Sequence, residues 1–283
     1  MFTEKNVREI LQQENYYIDD SLSLVVAMAE ELAKPILLEG PAGVGKTDLG
    51  RCLAQGFQMD FIRLQCYEGL DEHHALYEWN YQKQLLYLEN RRGGEWREVS
   101  GEIFSEEFLL PRPILRAFGS EKKAVLLIDE IDKSDEAFES FLLEALSDYA
   151  VTIPEWGTVQ AKEPPLVILT SNGARDFSDG LKRRCVHYYL DYPDRERELA
   201  IIKAKVPGVG PALAASICDF LAAVRRLDLR KKPSIAEALD WARVLVRLNV
   251  ESLNDGIVDS TYNFLLKYEG DIAAVKKYRV NTP

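Results

Sequence analysis

The segment Gly40-Pro41-Ala42-Gly43-Val44-Gly45-Lys46-Thr47 constrains this chain more than any other. It fits G-x-x-x-x-G-K-[ST] without a mismatch, and its flanks are those the motif needs: the apolar run Ile36-Leu37-Leu38 before it and a helical pattern from Lys46 onward. The glycines let backbone N–H groups turn inward to meet phosphate oxygens, and the new helix adds the positive end of its dipole. Lys46 is expected to reach the β and γ phosphates and Thr47 to ligate Mg²⁺ through its hydroxyl. Asp48, next in the helix, completes a nucleotide-binding stretch from Gly40 to Asp48.

Further short apolar runs alternate with helical patterns through the first two-thirds of the chain: Phe61 to Gln65, Ala124 to Ile128, Leu166 to Leu169 and His187 to Leu190. That alternation predicts an α/β fold of the P-loop NTPase type, a parallel sheet sandwiched by helices. Asp20-Ser21 is expected to cap a helix running to about Lys34, with Leu22, Val25, Val26, Ala29 and Leu32 on its apolar face and Pro35 ending it. After Pro193 the pattern is helical: Arg195 to Lys205, Pro211 to Arg226, Ile235 to Leu248 and Leu253 to Tyr268. We therefore expect a core over 1–193 and a small all-helical unit over 194–283. Residues Tyr67 to Gly101, rich in aromatics and carrying an Arg91-Arg92-Gly93-Gly94 turn, yield no clear periodicity.

A second motif supplies the other half of a site. Val125-Leu-Leu-Ile-Asp129-Glu130 is a buried strand ending in two carboxylates. At the C-terminal end of a parallel strand, Asp129 is placed to hold Mg²⁺ and Glu130 to polarise an attacking water as general base.

With both motifs in place, the chain resembles an AAA+ ATPase over about residues 16 to 250. Leu169-Thr170-Ser171-Asn172 is similar to the family's first sensor, with Asn172 the residue carried over. Leu181-Lys-Arg-Arg184-Cys lies where the family keeps its arginine finger, Arg184 first and Arg183 second. Gln65 stands where a polar residue restrains the catalytic glutamate, and Ile18 where the family packs the adenine base. Four strings, Leu64 to Asp71, Ala75 to Asn80, Ile103 to Leu110 and Pro233 to Trp241, make the likeness greatest to the MoxR group, and within it to the CoxD-type ATPases of carbon monoxide dehydrogenase maturation. Val151 to Pro154 and Thr158 to Ala161 look like that group's extra hairpin before the first sensor, with Trp156 near its tip. The resemblance implies ATP rather than GTP as nucleotide, with Mg²⁺. It also implies a homo-oligomeric ring, usually a hexamer, working with a von Willebrand factor A domain protein on a client enzyme. One departure stands out: where relatives keep a second-sensor arginine after a proline, this chain has Ser234 after Pro233, leaving Arg230, Lys231 and Lys232 as nearby cations.

Composition narrows the remaining classes. The chain has 283 residues, 46 acidic against 35 basic, for a net charge of −11, which speaks against a nucleic-acid-coating protein. Cys52, Cys66, Cys185 and Cys218 occur singly, as in neither a zinc ribbon nor a disulfide framework. His73-His74 lacks the spacing of a metal site. The N-terminus lacks the apolar stretch of a secretory signal and no segment reaches the length of a membrane span, so a cytoplasmic protein is expected. The competing readings are an AAA+ motor or subunit acting on nucleic acid, for which Arg225-Arg226 with Arg230 to Lys232 is the only sizeable basic cluster, and a scaffold that binds nucleotide without turnover.

Overall fold

A computed structural model describes residues 2–90 and 101–280. The strands are β1 (Ile36–Glu39), β2 (Asp60–Gln65), β3 (Tyr77–Trp79), β4 (Leu109–Pro111), β5 (Ala124–Asp129), β6 (Ala150–Ile153), β7 (Gly157–Gln160), β8 (Leu166–Ser171) and β9 (Val186–Tyr189). Five of them form one parallel sheet in the order β2-β5-β8-β1-β9. Helices α1 (Glu4–Gln13) and α2 (Asp20–Glu31) precede the sheet, and the connections between its strands carry α3 (Lys46–Gly56), α4 (Glu72–Leu76), α5 (Tyr81–Asn90), α6 (Pro113–Phe118), α7 (Glu136–Asp148) and α8 (Asp179–Arg184).

Every residue of β5 and β8 is buried, as a strand covered on both faces demands. Successive side chains point to opposite faces, and the packing follows that alternation. Leu126, Ile128, Val167 and Leu169 join one apolar cluster with α6 and α7, while Val125, Leu127, Leu166 and Ile168 join another with α1, α2 and α3. Truncating one of these to Ala removes roughly 2–5 kcal/mol of stability. The sheet thus fixes the carboxyl ends of β1, β5 and β8 side by side, which is where the functional motifs lie.

A third cluster is built from α9 (Arg195–Lys205), α10 (Pro211–Arg225), α11 (Ile235–Arg247), α12 (Asp255–Leu265) and α13 (Glu269–Val280). Trp241 is fully buried there and its indole N–H donates to Thr261 Oγ1 at 2.9 Å. Among the described residues no helix is long and apolar enough to cross a membrane.

Several elements differ from the sequence reading. Helix α2 stops at Glu31 because Ala33 adopts a left-handed conformation (φ 48), with Lys34 N–H bonded to Ala29 O and Ala33 N–H to Glu30 O. Leu32, expected on the apolar face, is consequently 60% exposed. The unreadable stretch after Tyr67 holds α4, β3 and α5, and β3 pairs antiparallel with β4. Its Arg91 to Gly94 turn lies outside the described residues. The hairpin before β8 forms as β6 and β7, with Trp156 in its turn and 38% exposed. All four cysteines are free and buried, and burial pushes the Cys66 thiol up to about 12.

Candidate nucleotide site

The loop after β1 has the backbone that its composition calls for. Gly40, Gly43 and Gly45 all have positive φ (152, 80 and 103). At Gly40 a Cβ would fall 2.1 Å from Leu190 O, and at Gly43 2.3 Å from Ser234 Oγ, so a side chain at either position would push the loop off its neighbours. Lys46, 6% exposed, lies under the loop and donates to Gly40 O at 2.6 Å, Pro41 O at 2.8 Å and Asn172 Oδ1 at 2.9 Å. Burial lowers its pKa, while Asp132, Asp129 and Glu130 pull the other way. The ammonium thus sits in a cradle of oxygens, with the acidic cluster behind it.

Asp129, at the end of β5, is 2% exposed and is held from three sides. Thr47 Oγ1 lies 3.0 and 3.1 Å from its two oxygens, Thr170 Oγ1 donates to Oδ1 at 2.5 Å, and Arg63 donates to Oδ2 from Nε at 3.0 Å and Nη2 at 2.5 Å. A buried carboxylate beside a threonine hydroxyl is a hard-oxygen donor set that fits Mg²⁺. Thr47 and Asp129 are the residues that would hold the ion, which when bound neutralises charge on the terminal phosphates.

Glu130 has left-handed backbone (φ 56, ψ 49), and its N–H donates to Thr170 Oγ1 at 2.9 Å. This bend turns its carboxylate away from Asp129 and into reach of Gln65 Nε2 (2.8 Å) and Lys133 Nζ (2.6 Å), both on Oε2. Asp132 Oδ2 accepts the N–H groups of Asn172 and Ala174 at 3.1 Å each, which orients the loop carrying Asn172 toward Lys46.

Around these groups runs a cavity of about 520 Å³. One wall comes from the N-terminal segment (Asn15, Tyr16, Tyr17), the floor from Ala42 to Asp48, and the opposite wall from the C-terminal helices (Arg197, Ile201, Lys205, Ile235, Ala236, Leu239). Tyr16 Oη donates to Gly45 O at 3.1 Å, and burial raises its phenol pKa. An apolar body with a few fixed polar groups at one end suits a base and ribose joined to phosphates.

The structure brings Lys46, Thr47, Asp129, Glu130 and Asn172 together, and sets others apart. Ile18 packs against the apolar cluster of α1 to α3, while Tyr16 and Tyr17 line the cavity. Arg183 and Arg184, at the end of α8, do not line it: Arg184 Nη1 bonds Leu143 O and Ser147 Oγ, and Arg183 Nε bonds Asp179 O. Of the cations considered as substitutes for a second-sensor arginine, Arg230 stacks on Tyr268 at 4.0 Å and Lys231 pairs with Glu237 at 2.7 Å, and neither lines the cavity. His74 pairs with Asp71 at 2.6 Å. Sequence reasoning missed Arg63. Its signal was present, because period two puts residue 63 on the same strand face as Gln65, whose role was read.

A family described as AAA domain (dynein-related subfamily) matches residues 35–185. Among curated proteins, the chloroplastic chaperone protein ClpC1 of Arabidopsis thaliana is 22% identical over 86% of this chain and 23% of its own length. The chaperone protein ClpB of Bacillus cereus is 26% identical over 50% of the chain and 14% of its own. The gas vesicle ATPase GvpN of Ancylobacter aquaticus is 25% identical over 74% and 60%. The chain therefore spans less than a quarter of the length of the two chaperone relatives. A solved RuvB proline-to-glycine mutant of Thermotoga maritima superposes with a TM-score of 0.50 over 93% of this chain and 70% of that one, at 18% identity, a likeness of fold.

Proposed function

This chain belongs to the dynein-related subfamily of AAA domains, a family of ATPases that use ATP with Mg²⁺, and from that premise we propose that it is a ring-forming chaperone ATPase of the MoxR type. The observation that carries the ring is the position of Arg183 and Arg184. The cavity contains the groups needed to bind a triphosphate and to activate water, yet these two arginines end on a helix outside it. A cation from a neighbouring copy would complete the site by stabilising charge on the transferring phosphoryl group, so hydrolysis would depend on assembly.

In this reading Lys46 and the loop amides hold the phosphates, Asn172 and Lys46 orient the terminal one, and Glu130 takes the proton of the attacking water. Gln65 and Lys133 hold Glu130 aside until the terminal phosphate and its water offer a better partner. The work is done on a protein. The chaperone names of the ClpC1 and ClpB relatives, the net charge of −11 and the half-exposed Trp156 on its hairpin support that. The CoxD-like strings extend the proposal to maturation of a metal-cofactor enzyme in the cytoplasm, together with a von Willebrand factor A domain partner. Residues 194–283 act as the lid.

The test is the assembly state of Glu130→Gln with ATP and Mg²⁺, read by light scattering. We expect a closed ring, usually of six, that binds the von Willebrand partner and its client. A monomer under all nucleotide conditions would overturn the ring. Retention on DNA that falls steeply with added salt would favour the nucleic-acid reading instead.

A further inference from the structure

Ser234 is fully buried, and its hydroxyl is packed on Gly43 and bonded to Glu237. Position 234 therefore offers no cation to the nucleotide. Yet the C-terminal helices do send two basic side chains into the cavity wall, both from α9. Arg197, Ile201 and Lys205 stand at i, i+4 and i+8, one face of one helix, and all three line the cavity.

Each cation crosses to a carboxylate of the core. Lys205 Nζ lies 2.6 Å from Asp48 Oδ2, with both side chains about three-quarters buried. Arg197 Nη1 lies 3.2 Å from Asp19 Oδ2, and its Nε is buried without a hydrogen-bond partner. Asp48 is the residue after the magnesium-ligand threonine, so it moves with the phosphate loop. Asp19 caps α2 and accepts the Tyr188 hydroxyl at 2.9 Å, so it moves with the sheet. Alongside them, Ala236 N–H at the start of α11 donates to Gly43 O at 3.2 Å. The helical wall is thus fastened to the floor of the cavity at one end and to its opposite rim at the other.

We propose that Lys205 and Arg197 are the positioning residues that couple the helical unit to bound nucleotide, with the Lys205–Asp48 pair as the principal clamp, in place of an arginine at position 234. The clamp acts through the phosphate loop. It keeps the apolar residues Ile201, Ile235 and Leu239 closed over the nucleotide, and its opening sets how fast nucleotide leaves. A partly buried pair is screened less by salt than an exposed one, yet still weakens as salt rises, which gives it a signature that packing lacks.

The experiment is stopped-flow release of mant-ADP from the full chain. Lys205→Ala should speed release about fivefold and Asp48→Ala, which also loses its pair with Arg51, at least as much; the double variant should be no faster than Asp48→Ala, because the Lys205–Asp48 interaction is already gone in it. Added salt should accelerate release from the unmodified chain more than from Lys205→Ala, which keeps only the Arg197–Asp19 pair. Arg197→Ala should give a smaller acceleration. Single variants that release at the unmodified rate, or effects that multiply in the double variant, would overturn the clamp. The inference rests on the nucleotide site: an unmodified chain that bound no mant-ADP would overturn the ATPase reading itself, whereas normal binding with unaltered variants would remove only the clamp.

Discussion

Two sets of cations in this molecule stand in opposite circumstances. Lys46 is buried, fixed by three oxygens and surrounded by the carboxylates of Asp129, Glu130 and Asp132. Arg183 and Arg184 are exposed and bond to α7 and to their own helix, with no carboxylate among the partners described. Burying a charge is costly unless it is paired, so the first is committed to a site made within one chain. Exposed guanidinium groups cost little to present and are free to serve a phosphate elsewhere. The difference separates binding, which we assign to the residues of one chain, from hydrolysis, which we assign to the contact between chains.

The largest expected effect tests the committed side. Lys46→Ala should weaken nucleotide binding by about a hundredfold or more and leave no measurable turnover, read by mant-nucleotide titration and phosphate release. Binding at the unmodified affinity would mean that the loop amides suffice. Arg184→Ala tests the other side. We expect unchanged nucleotide affinity, a melting midpoint within a few degrees of the unmodified chain, and turnover lowered by about a thousandfold in homogeneous rings. In mixed rings the altered subunits should silence their neighbours while keeping their own nucleotide; mixtures as active as their unmodified subunits would move the role to Arg183. Glu130→Gln should reduce turnover roughly a hundredfold while preserving ATP binding. Turnover at the unmodified rate would remove the general-base assignment.

How much of this was readable from sequence varies with how local the information is. The phosphate loop and the strand ending in Asp129-Glu130 are contiguous, and each residue type answers a chemical demand at a fixed offset. Strands β5 and β8 were visible as five- and four-residue apolar runs because both their faces are covered, whereas the edge strands β2 and β9 carry exposed positions and showed only as short mixed runs. Helix α1 was not, since only Val7 and Leu11 are buried in it, too few to register a period. The end of α2 was misplaced because Ala33 takes a left-handed conformation that glycine or asparagine would have signalled. Lys205 could be placed on a helix with Arg197 and Ile201. That this face meets Asp48, 157 positions earlier, depends on how the helices dock, which no local pattern records.

The smallest expected effect concerns Gln65, and it sharpens the boundary between what one chain does and what assembly adds. Gln65 Nε2 and Lys133 Nζ both donate to the same Glu130 oxygen, at 2.8 and 2.6 Å. Both bonds reach a carboxylate, and the lysine's joins two full charges where the amide's joins one. Removing the amide alone therefore leaves Glu130 restrained, and Gln65→Ala should raise the basal turnover of the ring only about two- to threefold, without altering nucleotide affinity. Lys133→Ala should do more, and the double variant more than either, because each removes a separate tether on one carboxylate. The rise should disappear in an Arg184→Ala background, where a freed base has no partner cation across the interface. Steady-state phosphate release at saturating ATP reads all four variants. If Gln65→Ala lowered turnover instead, Gln65 would be orienting the base for attack, and the restraint on Glu130 would rest with Lys133 alone.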